Sequence, residues 1–329
     1  MKKAASASAV YVKNFFDRAV SEGVDQDQLL SLLDSDLNSL DSVARRYPCE
    51  RVLDMIGFAE TASGNSSIGF ETGVAFSPAT FGEVAIAAIC ASTLQEASNI
   101  NSTYEALQQE FGRTRLTVED DLAIHSWSYD LVAPDRMRPI TEAVFAGLVN
   151  VGRWLIWSFD EEVVRVRFRH SKKTNPDPCA DYFKCDVLYE QDQDELIYKS
   201  SLVKSPLPQA NEASRKLITQ RLDYTLRRFN TSADLTWEVS ECIRQSMANG
   251  PVSISKIASM IGLSTKTLSR RLAREETNFR DILQSVRKSE YEVLSSQSEL
   301  PLAQIALALG YSDQSAFSRA RKSWLAASK

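Results

Sequence analysis

Apolar residues recur with two different periods along this chain, and the periods mark out its parts. Near the start, Val10, Val12, Phe15, Phe16, Ala19 and Val20 form a broad helical face, and Leu29, Leu30, Leu32 and Leu33 a short second helix. Pro48 suits a first helical position, with Val52, Met55, Ile56 and Ala59 continuing inward. After a turn at Ser77-Pro78-Ala79, the stretch Thr80-Phe81-Gly82-Glu83 predicts a capping box and 84–97 a largely buried helix. From 114 to 130 the period falls to two. Segments 115–118 and 122–127 predict strands around a polar Glu119-Asp120-Asp121 turn. A long helix over 137–157 follows. Segment 163–170 then predicts a strand in which Val164, Val166 and Phe168 alternate with Arg165, Arg167 and Arg169, a row that either faces an anionic effector or acidic partner or is the solvated face of an edge strand. Segments 185–189 and 195–198, split by Gln191-Asp192-Gln193-Asp194, predict a hairpin. This first part is α+β with antiparallel pairing.

Pro206 and Pro208 mark a boundary, since each removes a backbone donor and fixes φ. A polar helix over 212–229 and a break at Asn230-Thr231-Ser232 follow. From Asp234, an expected N-cap, the pattern is helix and turn to the end, with Asn249-Gly250-Pro251 as a helix stop. The predicted division is an effector-binding or association domain over 1–204, a connection over 205–233, and an all-α domain over 234–329.

That last domain contains a repeat. Ile257-Ala258-Ser259-Met260-Ile261-Gly262-Leu263-Ser264 is echoed by Ile305-Ala306-Leu307-Ala308-Leu309-Gly310-Tyr311-Ser312, and Leu268-Ser269-Arg270 by Phe317-Ser318-Arg319. Each copy has the logic of a helix-turn-helix. In the first, Ser253 caps a helix with Ile254, Ile257, Ala258 and Ile261 on one stripe, and Gly262 supplies a left-handed turn residue. Ser264 caps a second helix anchored by Leu268 and Leu272, whose outer face carries Thr265, Lys266, Ser269, Arg270, Arg271 and Arg274. A narrow apolar anchor under a basic face suits a helix that enters the DNA major groove. The second copy repeats the stripe with Leu302, Ile305, Ala306 and Leu309 and presents Asp313, Gln314, Ser315, Ser318 and Arg319. Between them, 278–295 predicts a spacer helix with Phe279, Ile282, Leu283, Val286, Val293 and Leu294 inward. Its length of roughly 25 Å suits two reading heads in successive major grooves, about 34 Å apart.

Charge follows the same division. The 329 residues carry a net charge of −5, yet residues 251–329 hold 12 Lys and Arg against 7 Asp and Glu. A basic end on an acidic body points to different partners for the two parts. No apolar run approaches the roughly 18 residues of a membrane span. No apolar segment follows Lys2 and Lys3 to make a secretory leader, and five scattered cysteines fit a reduced, cytoplasmic chain.

Enzyme chemistry finds no support in the residues, which imply no cofactor and no metal. His125 and His170 fall on predicted strands without ligand spacing, and Gly64-Asn65-Ser66-Ser67-Ile68-Gly69 misses the nucleophile-elbow spacing by one residue. Two alternatives stay open elsewhere. Cys179 and Cys185 either sense oxidants or are inert, and Trp127, Tyr129, Trp154 and Trp157 either line a ligand pocket or fill the core.

The double repeat, above all Gly310-Tyr311-Ser312-Asp313-Gln314-Ser315-Ala316-Phe317-Ser318-Arg319-Ala320, resembles the AraC/XylS-type bacterial transcription regulators over about 95 residues. The resemblance implies a seven-helix DNA-binding domain with two helix-turn-helix motifs joined by a linker helix. Carried over by position, it implies DNA contacts from Lys266, Ser269 and Arg270 in the first copy and from Gln314, Ser315 and Arg319 in the second. Arg271 joins them from its place on the basic face. Phe76-Ser77-Pro78-Ala79-Thr80-Phe81-Gly82-Glu83, with 185–188 and 202–207, resembles the sensory half of the subgroup of ornithine- and arginine-responsive regulators. That half is expected to bind a small-molecule effector and to mediate association into a homodimer, while the whole contacts double-stranded DNA and RNA polymerase. The family pattern is broken at Arg321, where an apolar core residue is usual, at Glu276, where glycine is usual, and in the absence of its Pro-x-x-Tyr/Phe-Arg ending. The alternative reading is an architectural or interaction protein that binds DNA without an effector.

Overall fold

The computed structural model describes residues 4–42, 45–157, 163–173, 177–231, 234–247, 250–297, 300–311 and 313–326. The chain forms two compact units, one of Lys2–Ser35 with Arg46–Arg228, the other of Asp36–Arg45 with Phe229–Lys329.

The elements run in order β1 (Ser6–Ser8), α1 (Ala9–Ser21), α2 (Gln26–Leu33), α3 (Leu37–Leu40), β2 (Arg46–Pro48), α4 (Cys49–Ser63) and α5 (Ile68–Val74). A 3-10 turn (Pro78–Phe81) leads to α6 (Gly82–Ile89), α7 (Leu94–Gln108), β3 (Arg113–Glu119), β4 (Leu122–Ser128), α8 (Pro134–Ile156) and β5 (Val163–Arg167). Then come α9 (Pro178–Phe183), β6 (Asp186–Leu188), β7 (Asp194–Lys199), α10 (Ser200–Val203) and α11 (Glu212–Thr231). The remainder is helical: α12 (Asp234–Met247), α13 (Ile254–Met260), α14 (Thr265–Arg274), α15 (Phe279–Gln297), α16 (Leu302–Ala308) and α17 (Gln314–Ala326). The fold is therefore α+β followed by all-α.

Local polar chemistry sets several boundaries that the apolar pattern misplaces. The single helix expected over 84–97 is two helices. Thr93 Oγ1 accepts from Glu96 N at 3.3 Å and Ser92 N donates to the Glu96 carboxylate at 2.7 Å, so a new helix is capped inside the apolar run. The capping box lies a turn earlier than expected, where Ser77 and Thr80 cap each other. Pro48 is the N-cap of α4 rather than its first residue. α11 continues through Thr231, past the expected break at Asn230. The side chain of Asp234, Asn249, Ser232, Ser312 and the last three residues lie outside the described residues.

Five strands form one sheet in the order β3-β4-β7-β5-β6. Two expectations fail here. β6 and β7 are not a hairpin, because β5 lies between them, antiparallel to β7 and parallel to β6. The chain after β6 turns back through Glu190 in a left-handed conformation (φ 56°), with Glu190 N donating to His170 O and Gln191 N to Phe168 O. The arginine row is consequently not on an edge strand. Arg167 donates to Glu195 at 2.8 Å, and the Arg169 guanidinium lies 4.8 Å from the Tyr129 ring centre. A bulge between Val163 and Arg165 breaks the alternation and leaves Val164 exposed, and His170 lies beyond the end of the strand.

Within the same unit, Arg138 on α8 is buried and holds Glu60 through two bonds of 2.7 and 2.6 Å. It also holds Glu142 at 3.1 Å and the Ser66 carbonyl at 2.7 Å. Its two terminal nitrogens are fully engaged while Nε is left without a partner among the described residues, and removing the guanidinium would strand two carboxylates.

The other unit has two cores. Val239, Cys242 and Ile243 of α12 meet Ile257, Ile261, Leu268, Leu272, Ile282 and Val286 in the first. Tyr291, Ile305, Leu309, Tyr311, Phe317 and Trp324 make the second. α15 contributes to both, as the spacer reading requires, although Val293 faces outward. Residues 36–45 belong to this unit: Arg45 pairs with Glu238 of α12 at 3.2 Å.

Candidate nucleic-acid interface and sensor cavity

The first copy is built as its sequence dictates. Ser253 Oγ accepts from Lys256 N to start α13, and Gly262 (φ 67°) turns the chain. Ser264 Oγ then accepts from Thr267 N at 3.1 Å to start α14. Leu268 and Leu272 are wholly buried, while Thr265, Lys266, Ser269, Arg270, Arg271 and Arg274 are exposed. Among the described residues, Lys266, Arg270, Arg271 and Arg274 make no hydrogen bond or ion pair. Four exposed cations on the helix face opposite two buried leucines leave that face able to neutralise phosphates and reach base edges. Glu275, just past the helix, accepts from Thr236 N and Oγ1 and so ties the end of α14 to α12.

In the second copy Gly310 (φ 68°) turns the chain and Phe317 anchors α17. Asp313 does the capping, its carboxylate accepting from Ser315 N and Ala316 N at 2.9 and 3.1 Å. Gln314, Ser315, Ser318 and Arg319 are exposed. Leu302, expected on the inner stripe, is instead 43% exposed, since it is the first residue of α16. Arg321 does not enter the core. Its Nε donates to Tyr291 Oη at 2.8 Å from the rim, while Trp324 fills the interior.

One side chain that organises this copy was not singled out from the sequence. Arg287 of α15 is buried and donates to the carbonyls of Leu309 and Gly310 at 3.0 and 2.9 Å, with its guanidinium 3.9 Å from the Tyr311 ring centre. It satisfies the carbonyls that end α16 and fixes the turn to the spacer helix. Arg244 of α12 in turn donates to Glu290 of α15 at 2.9 Å.

The α+β unit contains a partly open cavity of about 150 Å³, between α6, α7, α8 and the sheet, with mostly apolar walls. Ser98, Asn101 and Glu105 of α7 reach it at helical spacing, with His125 of β4 and Tyr198 of β7 opposite. The aromatic pocket weighed from the sequence is not this one: Trp127 is core, Trp154 and Trp157 are exposed, and none of them lines the cavity. Nor is there a reactive thiol at Cys179, which is buried and whose thiol burial pushes up. No group of three or more His, Cys, Asp or Glu side chains able to hold a metal occurs among the described residues. No helix there is long and apolar enough to cross a membrane.

Two helix-turn-helix copies in one unit and a cavity in the other define a class of protein in which a DNA-reading part and a small-molecule part share one chain. The comparisons agree. The model for the arabinose-binding domain of AraC transcription regulators, N-terminal, matches residues 23–207, and a helix-turn-helix domain model matches residues 257–328. The chain belongs to the family of AraC transcription regulators. It is 22% identical over 320 residues to the ornithine utilization regulator of Pseudomonas aeruginosa, covering 95% of this chain and 92% of that one. It is 27% identical over 157 residues to the HTH-type transcriptional regulator VirS of Mycobacterium tuberculosis, where the match spans 48% of this chain and only 46% of VirS. Among solved structures, the transcriptional regulator CdpR from Pseudomonas aeruginosa aligns over 91% of this chain and 93% of its own at 20% identity, with a TM-score of 0.43.

Proposed function

We propose that this chain is a sequence-specific DNA-binding transcription regulator controlled by a small molecule held in the α+β unit, and not an enzyme. The observation that carries the reading is the α14 face, exposed and basic above two fully buried leucines. Lys266, Ser269, Arg270 and Arg271 contact double-stranded DNA from the first copy, and Gln314, Ser315 and Arg319 from the second. The functional division is 1–204 for the effector and association, 205–233 as connection, and 234–329 for DNA. The protein works in the cytoplasm, as a homodimer, and touches RNA polymerase at its promoters. Coupling requires the effector to favour one arrangement of the chain by roughly 1–3 kcal/mol.

Footprinting of the full chain on DNA selected from a random pool tests this. Short protected sites of defined sequence are expected; broad protection without preference would mean an architectural binder. Arg270→Ala is expected to cost about 1–3 kcal/mol of specific affinity and to relax the base preference at one position. Unchanged affinity and selectivity would remove Arg270 from the interface.

A further inference from the structure

Three side chains from three elements meet on the cavity wall. Ser98 Oγ stands 2.6 Å from His125 Nε2, and Tyr198 Oη 2.6 Å from His125 Nδ1. The sheet register pairs His125 with Leu196, which puts Tyr198 diagonally across from the imidazole on the same face. His125 is 5% exposed, and burial alone lowers its pKa to about 4, so the ring is neutral near pH 7, with one N–H and one bare nitrogen.

A neutral ring between two hydroxyls allows two arrangements. If Nε2 carries the hydrogen it donates to Ser98, Tyr198 donates to Nδ1, and the Ser98 hydroxyl hydrogen is left over. If Nδ1 carries it, the ring donates to Tyr198, Ser98 donates to Nε2, and the Tyr198 hydrogen is left over. Either way the trio keeps one O–H donor that its own bonds do not use. Neither hydroxyl has a further acceptor among the described residues.

Of the remaining polar groups on the wall, Glu105, Gln109 and Arg153 are engaged elsewhere, whereas Tyr11 Oη is buried without a hydrogen-bond partner among the described residues and Asn101 adds an open amide. Glu105 accepts from Thr114 N and Oγ1 at 2.9 and 2.7 Å, and Gln109 Oε1 from Phe111 N at 2.7 Å. Arg153 sets its guanidinium 5.2 Å from the centre of the Tyr182 ring, which is not part of the wall. A buried ion costs several kcal/mol unless it is paired, and the wall has no pair of opposite charges free to receive an amino acid. A volume of about 150 Å³ is close to that of an apolar cavity known to hold benzene.

We propose that the cavity takes an uncharged, largely apolar molecule about the size of a substituted benzene, whose acceptor oxygen, a carbonyl or hydroxyl, receives the spare hydrogen of Ser98–His125–Tyr198. This names the ligand class of the effector site proposed above and rests on that reading for its regulatory meaning.

The test is calorimetric titration of the full chain with acetophenone, ethylbenzene, benzoate and ornithine. Acetophenone is expected to bind about tenfold more tightly than ethylbenzene, the gain from one hydrogen bond, with no saturable binding of benzoate or ornithine. The double variant Ser98→Ala/Tyr198→Phe is expected to bring acetophenone down to the level of ethylbenzene and to leave ethylbenzene unchanged, which also shows that the cavity still folds. Tighter binding of benzoate or ornithine, equal binding of the two neutral probes, an unaltered double variant, or no binding at all would each overturn the proposal. Footprinting with and without acetophenone separates the two readings. Binding that leaves the footprint unchanged supports the ligand class and refutes control by this cavity.

Discussion

The duplicated turns invite a paired perturbation, because they share a backbone conformation and differ in what surrounds them. Gly262 and Gly310 have φ of 67° and 68°. Alanine at either pays for a left-handed conformation, about 1–2 kcal/mol, offset in part by the freedom that glycine loses on folding, roughly 0.5–1 kcal/mol. A net loss of about 1 kcal/mol is common to both. The surroundings then separate them. A methyl at Gly262 would stand 3.2 Å from Ser39 Oγ and 3.4 Å from Asp36 Oδ2, both side-chain atoms rather than backbone. A methyl at Gly310 would stand 3.1 Å from the Gly250 carbonyl oxygen and 3.5 Å from Met247 Cγ. The turn cannot retreat from that carbonyl without loosening the Arg287 bonds to Leu309 and Gly310. Hydrogen bonds to a charged group are worth about 1.5–3 kcal/mol each, so a partial loss brings Gly310→Ala to about 2–4 kcal/mol. Native-state hydrogen exchange on peptides from α13 and α16 of the full chain measures both locally, without assuming a single unfolding transition. Asparagine sharpens the comparison, since it tolerates the left-handed region but carries the same Cβ. It should recover most of the loss at 262 and little at 310. Equal losses at the two turns, or a larger one at 262, would refute the argument.

Glu276 stands in a left-handed conformation (φ 55°) after α14, so Glu276→Gly is expected to stabilise the unit by about 1 kcal/mol, read as slower exchange at the end of that helix. Arg138→Met should cost about 3–5 kcal/mol by stranding Glu60 and Glu142; adding Glu60→Gln and Glu142→Gln should restore most of it in the same thermal melt. Burial raises the Glu105 pKa from its ordinary 4.5 to about 7, so its contribution is fully present below pH 4.5 and lost as pH rises through 7. Relative to Glu105→Gln, the natural chain should therefore lose a few kcal/mol of stability between pH 4.5 and 8, and parallel pH curves for the two would contradict the assignment. His125 acts in the opposite sense, its stabilisation falling as pH drops from 6.5 towards 4, which is why the paired variant rather than the bare pH curve is the measurement.

What could be read from the sequence was local. Ser253, Ser264, Leu268 and Leu272 fix α13 and α14 through caps and spacing within a dozen residues, and each does what its position predicts. Period-two segments reveal strands without naming their partners, and the row of Arg165 and Arg167 gave no sign that β5 lies between β7 and β6. The Ser98–His125–Tyr198 trio was hidden for the same reason, its members being 27 and 73 residues apart. The available signal was the polar spacing of Ser98, Asn101 and Glu105, obscured by carrying the preceding helix through Thr93. Arg321 looked like a core defect because the pattern shows a position and not a direction, and its side chain leaves the core for Tyr291.

The pairing of Arg45 with Glu238 bears on how the molecule is made, since 193 residues separate them. At roughly 5–20 residues per second on the ribosome, residues 36–45 emerge some 10–40 seconds before α12 exists. During that interval the segment has no place to settle. The α-helical unit is thus completed only after residues 46–228 have been made, and a gene fragment encoding 229–329 alone would deliver it without its earliest-born piece.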